Sequence, residues 1–151
     1  ATEADMLLYF EWANDETVRE NSINKSQIIF EDHVKWFTGR LKNSASILLV
    51  FENTGKAIGQ LRIEIDEKNR ESVINYSIDK NYRGKGFGTV ILSESHKYYT
   101  GLDIPYPLIG FVKLNNTASI SAFNKAGFLK LDGEFLINNE AYLKFSSIPV
   151  I

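Results

Sequence analysis

The residues best placed to do chemistry are Arg83, Gly84, Lys85, Gly86, Phe87 and Gly88. Glycines at alternate positions let the backbone turn tightly and approach a ligand closely. The run follows a short alternating segment, Val73 to Ile78, and opens a helical one, Phe87 to Tyr99. A strand that feeds a helix through such a turn aims several backbone N–H groups at one spot, which suits a phosphate or pyrophosphate. Arg83 and Lys85 can add positive charge there. The first expectation is a nucleotide-like cofactor, although the run taken alone could be only a flexible helix start. A Rossmann unit does not fit, because the third glycine comes too early and the strands before it form hairpins.

The composition narrows the class. A chain of 151 residues, 44% hydrophobic and 24% charged with three prolines, is long enough for one domain, residues 1–151, with a real core. The formal charge of -2 gives no basic surface for nucleic acid. The absence of cysteine removes disulfides, thiolate nucleophiles and Cys-ligated zinc together. Neither His33 nor His96 has partners spaced like a metal site. No segment is apolar over a membrane-spanning length and no signal peptide is visible, so a cytoplasmic protein is expected.

Several elements must position the glycine turn. The pattern predicts a helix over Thr2–Asn14, with Met6, Leu7, Phe10 and Ala13 on one face, and a polar loop over Asn21–Gln27. Phe30, Val34, Phe37 and Leu41 predict a second helix. A meander follows: strands at Ile47–Phe51, Ala57–Asp66 and Val73–Asp79, with turns at Glu52–Lys56 and Asp66–Arg70. The helix after the glycine turn should bury Phe87, Val90, Ile91 and Tyr98. Pro105 and Pro107 precede a strand at Leu108–Val112, Asn116 caps a helix that ends at Gly127, and a hairpin from Phe128 to Phe145 turns near Asn138-Asn139. The order is that of an α+β domain with a mixed, mostly antiparallel sheet flanked by helices.

Two motifs in this order carry a resemblance. Asn81-Tyr82-Arg83-Gly84-Lys85-Gly86-Phe87-Gly88 fits a Q/R-x-x-G-x-G/A core, and Asn116 to Phe128 fits N-x-x-S-x-x-x-Y/F-x-K-x-G-F. Together they resemble the GNAT superfamily of acyl-CoA-dependent N-acyltransferases over nearly the whole of Thr2 to Phe145. The resemblance implies that Arg83 to Gly88 grip the pyrophosphate of acetyl-CoA. It implies that strands at Asn75–Ile78 and Leu108–Val112 splay, with the pantetheine arm between them bonded to backbone near Ile78. Asn116 and Ser119 would then lie beside the cofactor and Phe123 near the thioester.

The front half resembles one branch. Glu11 to Arg19 reads as W-x-N-D-x-x-V-R, and Glu31 to Phe37 as E-x-H-x-x-W-F. These are similar to the amino-sugar-nucleotide acetyltransferases, including the pseudaminic-acid pathway enzyme, and overlap with enzymes that acetylate ribosomal-protein N-termini. The implied reaction is direct transfer of an acetyl group to a primary amine, with a small-molecule acceptor, expected to be a sugar nucleotide. A peptide N-terminus, or a non-catalytic acyl-CoA-binding module, stands as the alternative. Asn14, Arg19, Trp36 and Arg62 are the expected acceptor contacts, and Trp12 is balanced between substrate stacking and core packing.

Three departures from the pattern matter. The short strand with which the family opens has no room before Thr2, so it is expected either upstream of the given sequence or replaced. Phe123 stands where many relatives carry a tyrosine that can protonate the departing thiolate, leaving Tyr76, Tyr98 and Tyr142 as substitutes. Val73 stands where some relatives carry a carboxylate base. Glu64, sharing a strand face with Arg62 and Asp66, is the first candidate base, against the plainer reading of an ion pair with Arg62. His33 is the second, or else orients Trp36. The edge left by the C-terminal hairpin could support a homodimer.

Overall fold

The computed structural model describes residues 1–147. The meander expected from the alternating pattern forms β1 (Ser46–Asn53), β2 (Lys56–Asp66) and β3 (Glu71–Ile78). Its first turn is built on the left-handed backbone of Thr54 and Gly55, at φ 52° and 77°. β4 (Leu108–Lys113) lies parallel to β3, and every other pairing is antiparallel. The sheet runs β1-β2-β3-β4-β7-β5, where β5 is Leu129–Lys130, β6 is Phe135–Ile137 and β7 is Glu140–Ser146. The single expected C-terminal hairpin is thus divided. β5 and β6 both pair with β7, and the Asn138-Asn139 turn sits where the sequence put it, at φ 49° and 64°.

Strand alternation assigns the two sheet faces. Leu61 and Ile63 of β2 and Ile74 of β3 pack under α4 (Phe87–Thr100) and α5 (Thr117–Lys125), forming the larger core with Leu92, Phe123 and Phe145. On the opposite face Leu48 and Val50 of β1 meet α1 (Met6–Ala13) and α3 (Phe30–Lys42) through Tyr9, Phe37, Trp36 and Leu41. Each fully buried aliphatic side chain in these layers contributes about 1.5–3 kcal/mol.

Local chemistry corrects the expected elements in several places. The first helix opens with a 3-10 turn at Glu3–Asp5 and stops at Ala13. A separate helix, α2 (Glu16–Asn21), follows because the Asp15 carboxylate caps it, accepting from Val18 N at 3.2 Å. In α3 the inward residues are His33 and Phe37, while Phe30 stays 45% exposed. In α4 the buried stripe is Ile91, Leu92, Ser95 and Tyr99, and Val90 and Tyr98 face outward. Ser95 is tolerated inside because its hydroxyl donates to Leu92 O. Asn116 caps α5 through Ser119 N, and Gly127 takes the left-handed position after the helix, as expected.

The parallel contact of β3 and β4 consists of Ser72 against Leu108 and Val73 against Ile109. Beyond it the strands part, β3 staying with β2 and β4 with β7. The splay therefore begins at Ile74 and Gly110, not at Leu108.

Candidate functional site

The opening between β3 and β4 is a cleft of about 450 Å³. At one end Asp79 accepts from Asn81 N and so closes the 3-10 turn of Lys80–Tyr82. Gly84 and Gly86 follow at φ 73° and 82°, where a side chain would be strained. Gly86 is the N-cap of α4 and offers no capping side chain, so the amides of the first turn lack a partner from the cap. The β3 edge facing the cleft pairs with no strand from Ile74 to Ile78 among the described residues, and of its carbonyls Ile78 O is taken by Arg83. An uncapped helix start beside an open strand edge fits a diphosphate joined to an amide-bearing arm.

Of the residues expected at the cofactor, Ile78, Arg83, Gly84, Gly86, Phe87, Gly88, Asn116, Ser119 and Phe123 all line this cleft. Lys85 does not. It is exposed, with its ammonium 5.6 Å from the Tyr82 ring centroid. Arg83 has a different role from free positive charge: it donates to Asp15 Oδ1 at 2.7 Å and to Ile78 O at 3.1 Å. Trp12 Nε1 likewise donates to Asp79 Oδ2 at 2.8 Å, so this indole is a buried tie and not a stacking surface. These two bonds clamp the first helices to the glycine turn. Burial alone would raise the Asp15 carboxyl, but the bonds from Arg83 and from Val18 N outweigh it and hold the group below the usual range.

Phe123 forms the floor of the cleft. Its ring stacks on Phe145 and lies against Gly110, where any Cβ would collide with it. Tyr76 stands over it, ring centroids 6.0 Å apart, with its hydroxyl 2.9 Å from Ser119 Oγ. Burial raises the Tyr76 phenol above its ordinary value, so it stays protonated at neutral pH. Tyr98 is exposed and Tyr142 donates to Glu140 Oε2, which leaves Tyr76 as the cleft member of the three tyrosines considered.

A second cavity of about 390 Å³ adjoins the cleft, with Val18, Ser22 and Asn75 lining both. It gathers three of the four expected acceptor residues, Arg19, Trp36 and Arg62, together with His33. Asn14 is elsewhere: both ends of its amide are bonded to the backbone of Ile28. Arg19 lines the cavity but donates to the carbonyls of Ala13, Asn24 and Ser26, holding the loop after α2 in place. His33 is buried, donates from Nε2 to Met6 O at 2.9 Å and stacks on Phe37. Burial lowers its pKa, so the ring is neutral.

Glu64 lines neither cavity. Its carboxylate accepts from Ser46 Oγ and lies 3.4 Å from both Arg40 and Arg62, because its strand position falls beside the C-terminal half of α3. The plainer ion-pair reading describes its surroundings. No Asp or Glu lines the cleft among the described residues. The same residues contain no cluster of three or more His, Cys, Asp or Glu placed to hold a metal, and no helix long and apolar enough to cross a membrane.

Two cleft residues went unnoticed in the sequence. Lys113 is buried, donates to Glu20 O at 2.8 Å and pairs with Glu140 Oε2 at 3.1 Å. Asn75 faces both cavities. The available signal was strand alternation: Lys113 is in phase with Phe111, and Asn75 is polar between Ile74 and Tyr76.

A sheet opened beside a glycine-built anion turn defines the class. The domain described as Acetyltransferase (GNAT) domain matches residues 1–129, and the chain belongs to this family. Over 102 residues it is 28% identical to YwnH, a candidate phosphinothricin acetyltransferase of Bacillus subtilis (strain 168), a match covering 65% of this chain and 61% of that protein. The chain thus spans less than two thirds of that relative's length. An aminoglycoside acetyltransferase crystallised with coenzyme A superimposes with a TM-score of 0.81 at 16% identity, covering 97% of this chain and 91% of the other. The spermidine N-acetyltransferase of Vibrio cholerae, solved with CoA and spermine, does so at 0.81 and 18% identity, covering 97% and 90%. At such identities the likeness is one of fold.

Proposed function

We propose that this chain transfers an acetyl group from acetyl-CoA to the primary amine of a small molecule, with a nucleotide-linked amino sugar as the acceptor. The parting of β3 and β4 beside Gly84 and Gly86 carries this reading. Bound acetyl-CoA supplies the activated acetyl group. The first-turn amides of α4 hold its diphosphate, and the unpaired edge of β3 aligns its arm. Phe123 and Phe111 exclude water from the inner cleft. Tyr76 holds a proton at Oη for the leaving sulfur, in place of the phenol that Phe123 lacks, and Ser119 fixes its direction. With no carboxylate on the cleft wall among the described residues, the acceptor amine enters already neutral; its proton leaves to solvent at the open mouth of the cleft, and Tyr76 regains a proton from solvent as the thiol departs. The amino-sugar preference rests on the front-half motifs and on a second cavity that adjoins the cleft.

The absence of a cleft carboxylate among the described residues also favours a second reading, a non-catalytic module that binds acyl-CoA. A thiol-release assay with acetyl-CoA separates the readings across amino-sugar nucleotides, simple amines and peptides. Release with small amines, greatest for a nucleotide-linked amino sugar, is the expected result. Release with peptides alone overturns the acceptor assignment. Tight coenzyme A binding without release from any amine overturns the enzyme.

A further inference from the structure

The second cavity contains a cation that the protein leaves poorly compensated. The guanidinium carbon of Arg62 lies 5.1 Å from the centroid of the Trp36 ring. Its Nε is buried and has no hydrogen-bond partner among the described residues. The nearest carboxylate oxygen, Glu64 Oε1, is 3.4 Å away without hydrogen-bond geometry. Glu64 is also shared with Arg40 at 3.4 Å and accepts from Ser46, so two guanidiniums divide one carboxylate. Around the cavity the other charges are Arg19, whose N–H groups are engaged by backbone carbonyls, and Asp32 at the exposed mouth. The buried Nε edge faces Glu64, so what the cavity reaches is the rest of the guanidinium, whose terminal N–H groups make no hydrogen bond among the described residues and stay open to an acceptor from a ligand.

We propose that the cavity is an anion subsite for the acceptor, in which Arg62, braced on Trp36, binds a carboxylate or phosphate oxygen of the molecule being acetylated. The proposal rests on the transferase reading above and names the substrate class within it: an amine that also carries an anionic group. A guanidinium presents directed paired donors to either oxyanion, and its face is held by the indole. Asn75 lines both spaces, so an acceptor anchored at Arg62 reaches the cleft across one strand position. A polyamine or aminoglycoside would bring further positive charge against Arg62 and is disfavoured.

The test compares glutamate, a uridine-diphosphate-linked amino sugar, glucosamine and spermine as acceptors for the wild type and for Arg62→Gln and Arg62→Lys. The wild type should prefer an anionic amine. Arg62→Gln should raise KM for that amine and cut its selectivity over glucosamine by about 10- to 100-fold, with partial recovery in Arg62→Lys. Preference for glutamate assigns a carboxylate, and preference for the nucleotide sugar a phosphate. A wild type that prefers spermine or glucosamine, or a folded Arg62→Gln of unchanged selectivity, overturns the subsite. Calorimetry with an N-acetyl amino acid and a uridine-diphosphate-linked N-acetyl sugar, on protein saturated with coenzyme A, does not depend on turnover. If no amine releases thiol, loss of this binding in Arg62→Gln still supports the subsite while the transferase reading fails. Absence of binding to the wild type overturns the subsite alone.

Discussion

The cleft and the cavity beside it are built from different materials. The cleft takes its binding groups from the backbone: the unpaired edge of β3, the uncapped start of α4, and two glycines at positive φ. The cavity takes its groups from side chains on separate elements, with Trp36 and His33 from α3, Arg62 from β2 and Arg19 from α2. A backbone site recognises what every acyl-CoA shares, because amides are the same whatever residues carry them. A side-chain site can change its ligand by exchanging one residue while the sheet is left alone. On this contrast, damage to the cleft should abolish binding of the common cofactor, and damage to the cavity should alter only the choice of acceptor.

The largest effect is expected at the turn. Gly86→Val places a β-branched residue at φ 82°. That costs about 1–3 kcal/mol of backbone strain and misdirects the first-turn amides of α4. Coenzyme A affinity measured by calorimetry should fall by about 100-fold or more, while the far-UV spectrum stays native. Unchanged affinity would show that the backbone at Gly86 does not form the anion site. Next in size is Tyr76→Phe, which removes the phenol bonded to Ser119 and keeps the ring over Phe123. Turnover should drop about 100-fold with KM for acetyl-CoA little changed, the usual worth of a proton donor. A raised KM for acetyl-CoA with turnover kept would make Tyr76 a binding residue instead.

A smaller effect lies at the seam between the two regions. Asp15 caps α2 and accepts from Arg83, and so joins the helices around the cavity to the cofactor turn. Asp15→Asn should cost about 1 kcal/mol in chemical denaturation at neutral pH. The folded carboxyl is depressed, so its contribution is complete above the unfolded value of about 4 and fades as pH falls through the lower folded one. The difference between wild type and Asp15→Asn should therefore be flat from neutral pH to about 5 and shrink below 4. A difference that instead grows in acid would mean the carboxyl is raised.

The two regions also differ in how far the sequence reveals them. Gly84 and Gly86 are read directly, because few other residues occupy positive φ, and Asn116 is read as a cap for a similar local reason. The alternating meander gives the sheet and the faces of β2 and β3. The cavity arises where three helices cross two neighbouring strands, and nothing local in the chain records that crossing. α2 passed unseen because it is six residues long and depends on one cap. The α4 stripe was displaced because Ser95 interrupts its apolar period. Arg62 and Glu64 share a face of β2, yet one borders the cavity and the other lies beyond it under Arg40. Periodicity fixes the face of a strand, not the point along it where a cavity opens.

Glu64 gives the finest test of the contrast, since two accounts of it predict opposite signs. As a base it would be required for turnover, and Glu64→Gln would be nearly inactive below the pKa of the amine. As the shared counter-charge of Arg40 and Arg62, its loss leaves both guanidiniums less neutralised, and Arg62 should hold an acceptor anion more tightly. Partly exposed ion pairs are worth about 0.2–1 kcal/mol, so KM for an anionic acceptor should fall by roughly 1.5- to 5-fold with turnover kept. The shift should weaken as ionic strength rises, because the charges involved are only partly shielded from solvent. Steady-state kinetics at two salt concentrations resolve the sign. A rise in KM would remove Arg62 from acceptor binding, and a collapse in turnover would restore Glu64 as the base and place the acceptor on its side of β2.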